Sequence, residues 1–229
     1  MKVSDNLVHI QTKIDEVCKK VGRIPNDVKI IAVTKYVSIQ RATEAFEAGI
    51  THLGENRDDG LLSKYESLGN KPVWHFIGTL QTRKVKNIID IAEYIHSLDR
   101  MSLADEIQKR ASRKMKCLIQ VNVIGEESKH GLSPEEALLF VQALREKNYD
   151  KIEVAGLMTM APFTEDETVI RNCFKGLKEL QQQIQEMNIP CMPCNELSMG
   201  MSNDFEIAIE EGATMVRIGT SLVGNESKI

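Results

Sequence analysis

The chain has 229 residues, 42% hydrophobic and 27% charged, with 29 basic against 33 acidic side chains and a net charge of −4. That suits one α/β domain with a sizeable core, and no basic block or membrane-length apolar run points to nucleic acid or a bilayer as partner. The 5 cysteines are odd in number and mostly isolated, which argues against a disulfide framework and for a reducing, cytoplasmic setting.

Val3, Leu7, Ile10, Ile14, Val17 and Val21 recur at helical spacing and predict an amphipathic helix over about Asp5–Lys20, packed on the domain. Gly22, Pro25 and Asn26 end it. A β-branched run over 29–34 predicts the first strand. A helix then starts after Ser38 and stops at Gly49, a plausible C′ glycine. Further strands are expected at Thr51–Gly54, Val73–Ile77, Tyr94–Ser97, Lys116–Val123, Ile152–Met158, Glu196–Met199 and Thr214–Ile218. Helices fall between them: from Glu55-Asn56 to about Leu68, over Leu80–Asp90, and over Met101–Lys114. Another starts at the Ser133-Pro-Glu-Glu136 capping box. A long one opens at Thr164-Glu-Asp-Glu167 and ends near Met187, and a short one is capped by Ser202 and ends at Gly212. Strands alternating with helices through short connections predict a parallel sheet. Such units closing on themselves predict a single-domain (β/α)8 TIM barrel over residues 1–229, with an open doubly wound sheet as the competing arrangement.

In such a barrel the chemistry gathers where the strands end. Lys35 ends the first strand, either as a salt-bridged rim residue or as an amine for a carbonyl. Asn56, His75, Asn122 and Met158–Met160 follow the next strands. Ser198-Met199-Gly200-Met201-Ser202 and Gly219-Thr220 are small-residue turns after the last two strands, where this fold commonly grips phosphate. Arg217, within an apolar strand, needs a partner: a buried ion pair or a ligand heteroatom. A phosphorylated aldehyde held as an imine on Lys35 would satisfy amine, donor and cradle together, and pyridoxal phosphate is such a molecule. His75 beside Trp74 reads more simply as a structural hydrogen-bonder than as a base. Cys191-Met-Pro-Cys194 has C-x-x-C spacing but precedes a strand and has no second Cys/His pair nearby, against redox or metal use. Lys129-His130-Gly131 is expected to form a rim loop.

Ala32-Val-Thr-Lys35, Gly54-Glu-Asn56, His75-Phe-Ile-Gly-Thr-Leu-Gln81, Gly156-Leu-Met-Thr-Met160, Glu196-Leu-Ser-Met-Gly-Met-Ser-Asn-Asp204 and Val216-Arg-Ile-Gly-Thr220 occur in this order. Together they resemble the YggS/PROSC family of pyridoxal-phosphate homeostasis proteins across nearly the whole chain. The resemblance implies the barrel of the alanine racemase N-terminal-domain type (fold type III), without the β-rich second domain. It implies pyridoxal 5′-phosphate (PLP) as a Schiff base on Lys35 and Arg217 facing the pyridine nitrogen. Ser198, Gly200, Ser202, Gly219 and Thr220 would hold the phosphate, with Met199 and Met201 in the same turn, and Asn56 and His75 would line the ring. Arg83 departs from the asparagine many members carry, and the tail Asn225–Ile229 departs from the common ending.

The function implied is PLP buffering or delivery, with PLP-dependent apo-enzymes as partners and a monomer as the expected state. No reaction is expected, because arginine is too basic to protonate the ring nitrogen and the racemases' second-domain tyrosine base has no counterpart. Strand alternation points Tyr36 away from the interior. The alternatives are a PLP-dependent amino-acid racemase-like enzyme and a phosphosugar barrel enzyme that uses no PLP.

Overall fold

A computed structural model describes residues 2–126, 130–224 and 226. Among them, eight parallel strands close into a barrel in sequence order: β1 Lys29–Val33, β2 His52–Glu55, β3 Val73–Phe76, β4 Tyr94–Leu98, β5 Met115–Gln120, β6 Ile152–Met158, β7 Glu196–Ser198 and β8 Met215–Ile218. β1 pairs with β8, with Ile31 level with Arg217, and this register shuts the ring and rules out the open sheet. The helices are α1 Val3–Val21, α2 Ile39–Glu47, α3 Asp58–Leu68, α4 Val85–Ile88, α5 Met101–Arg110, α6 Pro134–Lys147, α7 Glu167–Glu186, α8 Phe205–Glu210 and α9 Thr220–Val223.

Two apolar layers hold the barrel. The larger lies between the sheet and the helix ring. The smaller fills the barrel interior with Ile31, Tyr94, Leu118, Ala155, Met158 and Met215. Strand alternation sends successive side chains to these two layers in turn. The stripe Val3, Leu7, Ile10, Ile14 and Val17 of α1 is buried. Lys13 pairs with Glu206 and Lys20 with Glu210, which docks α1 beside α8.

Local signals decide the helix starts. Ser133 and Glu136 form the reciprocal capping box, with Pro134 in the first turn. At α7 the expected box is replaced. Asp166 caps the helix, accepting from the Thr168 and Val169 amides, while Thr164 Oγ1 accepts from the Asp166 amide in a turn before it. Ser202 likewise does not cap α8. Asp204 Oδ1 takes the Met201 amide at 2.5 Å, and the helix begins at Phe205. The expected helix over Leu80–Asp90 is a 3-10 turn, Thr82–Lys84, followed by the single turn α4. Thr82 and Asn87 are weak helix formers in a segment too short to propagate a helix. The α9 turn was not expected. It is anchored by Asn6 Nδ2 to the Leu222 carbonyl, 2.8 Å, and by Arg41 Nε to the Val223 carbonyl, 2.9 Å.

Candidate functional site

A cavity of about 430 Å³ opens at the carboxyl ends of the strands. Lys35, Tyr36, Asn56, Ile77, Met160, Met201, Ser202, Arg217, Gly219 and Thr220 line it. Lys35 is exposed, and its Nζ lies 4.8 Å from the centre of the Tyr36 ring. Tyr36 therefore reaches the cavity rim. The strand ends at Val33, and residues 35–36 form a turn in which strand alternation no longer applies.

A buried polar knot holds the chain just before Lys35. Lys64 Nζ of α3 donates to Glu55 Oε1 at 2.7 Å and to the Thr34 carbonyl at 3.0 Å, and Thr34 Oγ1 donates to the same carboxylate oxygen at 2.7 Å. Gly60 makes room for that carboxylate, since a Cβ there would sit 2.8 Å from Glu55 Oε2. Asn56 follows directly, on a loop seated against Gly78, whose added Cβ would lie 2.2 Å from the Asn56 carbonyl oxygen. On the far side of the Lys35 turn, the Glu226 carboxylate accepts the Ser38 amide, and the Glu226 amide donates to the Tyr36 carbonyl. The tail thus touches the Lys35 turn directly.

Arg217 is 5% exposed. Nη1 donates to the Ser198 carbonyl (2.8 Å) and to Ser198 Oγ (2.6 Å), and Nη2 donates to the Thr159 carbonyl (2.8 Å). The hydrogen bonds that hold it thus run to carbonyls and a hydroxyl, which leaves donors of the fork for a ligand. Burial pulls its pKa down to about 10, against a smaller opposing effect of Asp204, so it remains a cation at neutral pH.

The two small-residue turns meet across the cavity, where Ser221 Oγ donates to Ser202 Oγ at 2.9 Å. Ser221 escaped the sequence reading although it directly follows Thr220. Gly200 is needed at φ +91°, with Phe205 and Ala208 too close for a side chain.

Four of the residues expected to bind the cofactor do not line this cavity. Ser198 is buried beneath the cavity floor with its hydroxyl engaged by Arg217. Met199 is packed in the outer core, Gly200 is buried within the turn with its carbonyl accepting from the Arg217 amide, and His75 is fully buried within the barrel. His75 is the third residue of β3, level with Gly54, and its imidazole is taken up by the two neighbouring histidines inside the barrel. Its Nδ1 is 2.8 Å from His96 Nε2 and its Nε2 is 2.9 Å from His52 Nδ1. His130 is exposed and Gly131 packs against the Gln120–Asn122 backbone, while Lys129 of the expected rim loop lies outside the described residues. Cys191 is exposed and Cys194 buried, both as free thiols.

The model of the alanine racemase N-terminal domain matches residues 6–227. A curated pyridoxal phosphate homeostasis protein of Aquifex aeolicus is 44% identical over 98% of this chain and 98% of its own length. The chain belongs to the pyridoxal phosphate homeostasis protein family. Its relatives carry the name of a homeostasis protein rather than of an enzyme. The structure of PipY from Synechococcus elongatus with PLP bound, 28% identical, superposes with a TM-score of 0.84 over 97% of this chain and 100% of that one. An alanine racemase of Clostridium difficile, 15% identical, shares the fold at a TM-score of 0.77 over 96% of this chain and 56% of that one. No helix among the described residues is long and apolar enough to cross a membrane.

Proposed function

We propose that this protein binds pyridoxal 5′-phosphate covalently through Lys35 Nζ and holds or delivers it in the cytoplasm, without catalysing a reaction of its own. The observation that carries the reading is one cavity bringing together a primary amine, a buried cation with donors to spare and two hydroxyl-bearing turns joined by the Ser202–Ser221 bond. The residues fit the group. Gly219 leaves the cradle open where a Cβ would reach only ordinary contact with Val33, at 3.6 Å. Ser202, Thr220 and Ser221 offer hydroxyls to a phosphate, Asn56 and Met201 complete the wall, and Arg217 would face the pyridine nitrogen. PLP supplies an aldehyde that condenses reversibly with a primary amine and absorbs light when it does.

The chain's own residues favour holding over turnover. Arg217 keeps its protons at neutral pH, so the ring nitrogen meets a hydrogen-bond donor and not an acid, which makes for a weak electron sink. The Glu55–Lys64–Thr34 knot fixes the backbone that presents Lys35. PLP-dependent apo-enzymes are the natural recipients, and the chain would act as a monomer.

The test is an absorbance spectrum with and without added PLP, then borohydride reduction and mass mapping. A new band and a reduced adduct on Lys35, both lost in Lys35→Ala, are expected. A mixture whose spectrum is only the sum of protein and free PLP, with no adduct after reduction, would refute the reading. Tyr36 at the rim keeps a racemase-like reading testable: sustained interconversion of amino-acid enantiomers by the purified protein, lost in Lys35→Ala, would replace holding with catalysis.

A further inference from the structure

The barrel interior carries a continuous polar line that PLP holding does not by itself explain. It begins at His52, the half-buried first residue of β2, which lies at the end of the barrel opposite the cavity beside Lys29 and Thr51. It climbs through His75 of β3 and His96 of β4, both fully buried. His96 Nδ1 is 3.0 Å from Ser198 Oγ, and Ser198 Oγ is 2.6 Å from Arg217 Nη1. Tyr94 stacks on His75 at 4.6 Å with the planes 3° apart, holding that ring in place.

The chemistry of the upper end sets the direction of every link. Arginine only donates, so Ser198 Oγ accepts from Arg217 and its own O–H turns to His96 Nδ1. His96 then carries its proton on Nε2 and donates to His75 Nδ1. His75 carries its proton on Nε2 and donates to His52 Nδ1. One tautomer pattern satisfies all the groups. The reverse pattern would have Ser198 accept from both sides and strand its hydroxyl proton in the core. Burial, followed by neighbouring charges, lowers all three imidazoles, so the column is neutral near pH 7. The charges around it are Lys29, paired with Glu196 of β7, Lys116 of β5, and Arg217 above.

We propose that the His52–His75–His96 column is a positioning relay for the ring nitrogen of the ligand: acting through Ser198, it sets the orientation in which Arg217 presents its donors to the cavity. The inference rests on the PLP reading above. A donor locked from below presents one geometry, and a ring nitrogen that accepts from it draws on the polarised chain beneath.

The test uses the intact protein with PLP as probe. His96→Asn and His96→Leu have nearly the same shape and leave the same space. Only Asn keeps an acceptor near the place of Nδ1. PLP is expected to bind the Asn variant close to the wild-type protein and the Leu variant about tenfold more weakly, the cost of one unsatisfied buried polar group. The adduct should remain on Lys35 in both. Equal affinity of the two variants would overturn the proposal.

Imidazole nitrogen NMR of the wild-type protein gives a second reading that needs no substitution. His75 and His96 are expected as Nε2–H tautomers, and the His96 shifts should move with PLP but not with its analogue carrying carbon in place of the ring nitrogen. Other tautomers, unmoved shifts with PLP, or equal movement with both ligands would each overturn the relay. An adduct at Lys35 with unmoved His96 shifts overturns the relay alone. No adduct in the wild-type protein overturns the relay and the PLP reading together.

Discussion

Replacing Lys64 by methionine removes the ammonium from a pair whose side chains are 6% and 1% exposed and only 2.7 Å apart. The Glu55 carboxylate keeps the Thr34 hydroxyl but loses its counter-charge, and the Thr34 carbonyl keeps the Val37 amide but loses its second donor. An uncompensated charge in a low-dielectric site costs about 3–5 kcal/mol. That is a large part of a typical total stability of roughly 5–15 kcal/mol. For a domain of this size it lowers the thermal midpoint by roughly 6–20 °C. Glu55→Leu/Lys64→Met removes both charges, and most of the loss should return, because the pair's Coulomb gain mainly offsets its own desolvation. Urea unfolding at constant m-value measures each step. A cost under about 1 kcal/mol for Lys64→Met, or a double variant as unstable as the sum of the singles, would show that the knot does not carry charge in the way described. Lys35 lies one residue beyond Thr34, so the single variant should also form less reduced PLP adduct at equal occupancy of folded protein.

Gly78→Ala drives a Cβ into the Asn56 carbonyl at 2.2 Å. Backbone has to move, so a loss of about 1–3 kcal/mol or more is expected in denaturant unfolding, together with weaker PLP binding. For Asp58, burial would raise the pKa, but the hydrogen bonds from Lys84 (2.5 Å) and Asn87 (2.8 Å) outweigh it, and the net value lies below the ordinary 3.8. Its contribution is therefore present above pH 3.8 and fades as pH falls through the lower folded value. Asp58→Asn should flatten that acid limb of the stability curve, and an unchanged limb would contradict the assignment. Thiol labelling of the native protein should modify Cys191 first among the 5 cysteines. Burial raises Cys18 and Cys117 and pushes Cys194 up to about 12. Ser221→Ala breaks the bridge to Ser202. It should weaken binding of inorganic phosphate and PLP alike, by roughly the worth of one hydrogen bond, and leave the Lys35 adduct in place.

The barrel was legible because alternating apolar runs and helix caps are local, repeated signals. That Lys35, Asn56, Ser202, Gly219 and Thr220 share a cavity was legible because the loops just beyond the strands' carboxyl ends converge, and Arg217, one residue inside its strand, reaches the same cavity. Depth along the strand was not legible. His75 and Ser198 belong to short strands, and their height in the barrel depends on stagger between neighbours, which one strand's pattern does not contain. His52 and His96 look unremarkable singly and meet His75 only through the β2–β3–β4 arrangement. The start of α8 was misplaced because the Asp204 carboxylate, two residues beyond Ser202, captures the Met201 amide. Tyr36 was misplaced by extending strand alternation into a turn.

Arg217 binds backbone from β7 and from the segment after β6 while standing in β8, and its own amide donates to the Gly200 carbonyl. Every protein atom its guanidinium bonds is an oxygen able to accept. A carboxylate in its place would face two carbonyls and a serine oxygen, and β8 would keep its backbone ladder but lose its side-chain bonds to β7 and to the segment after β6. The packing of β8 against β6 and β7 and the electronic character of the group that the pyridoxal phosphate reading sets beside the ring are therefore one choice. On that reading, converting this site to one that draws electrons from the ring requires rebuilding the contacts among β6, β7 and β8, and exchanging a single side chain is not enough.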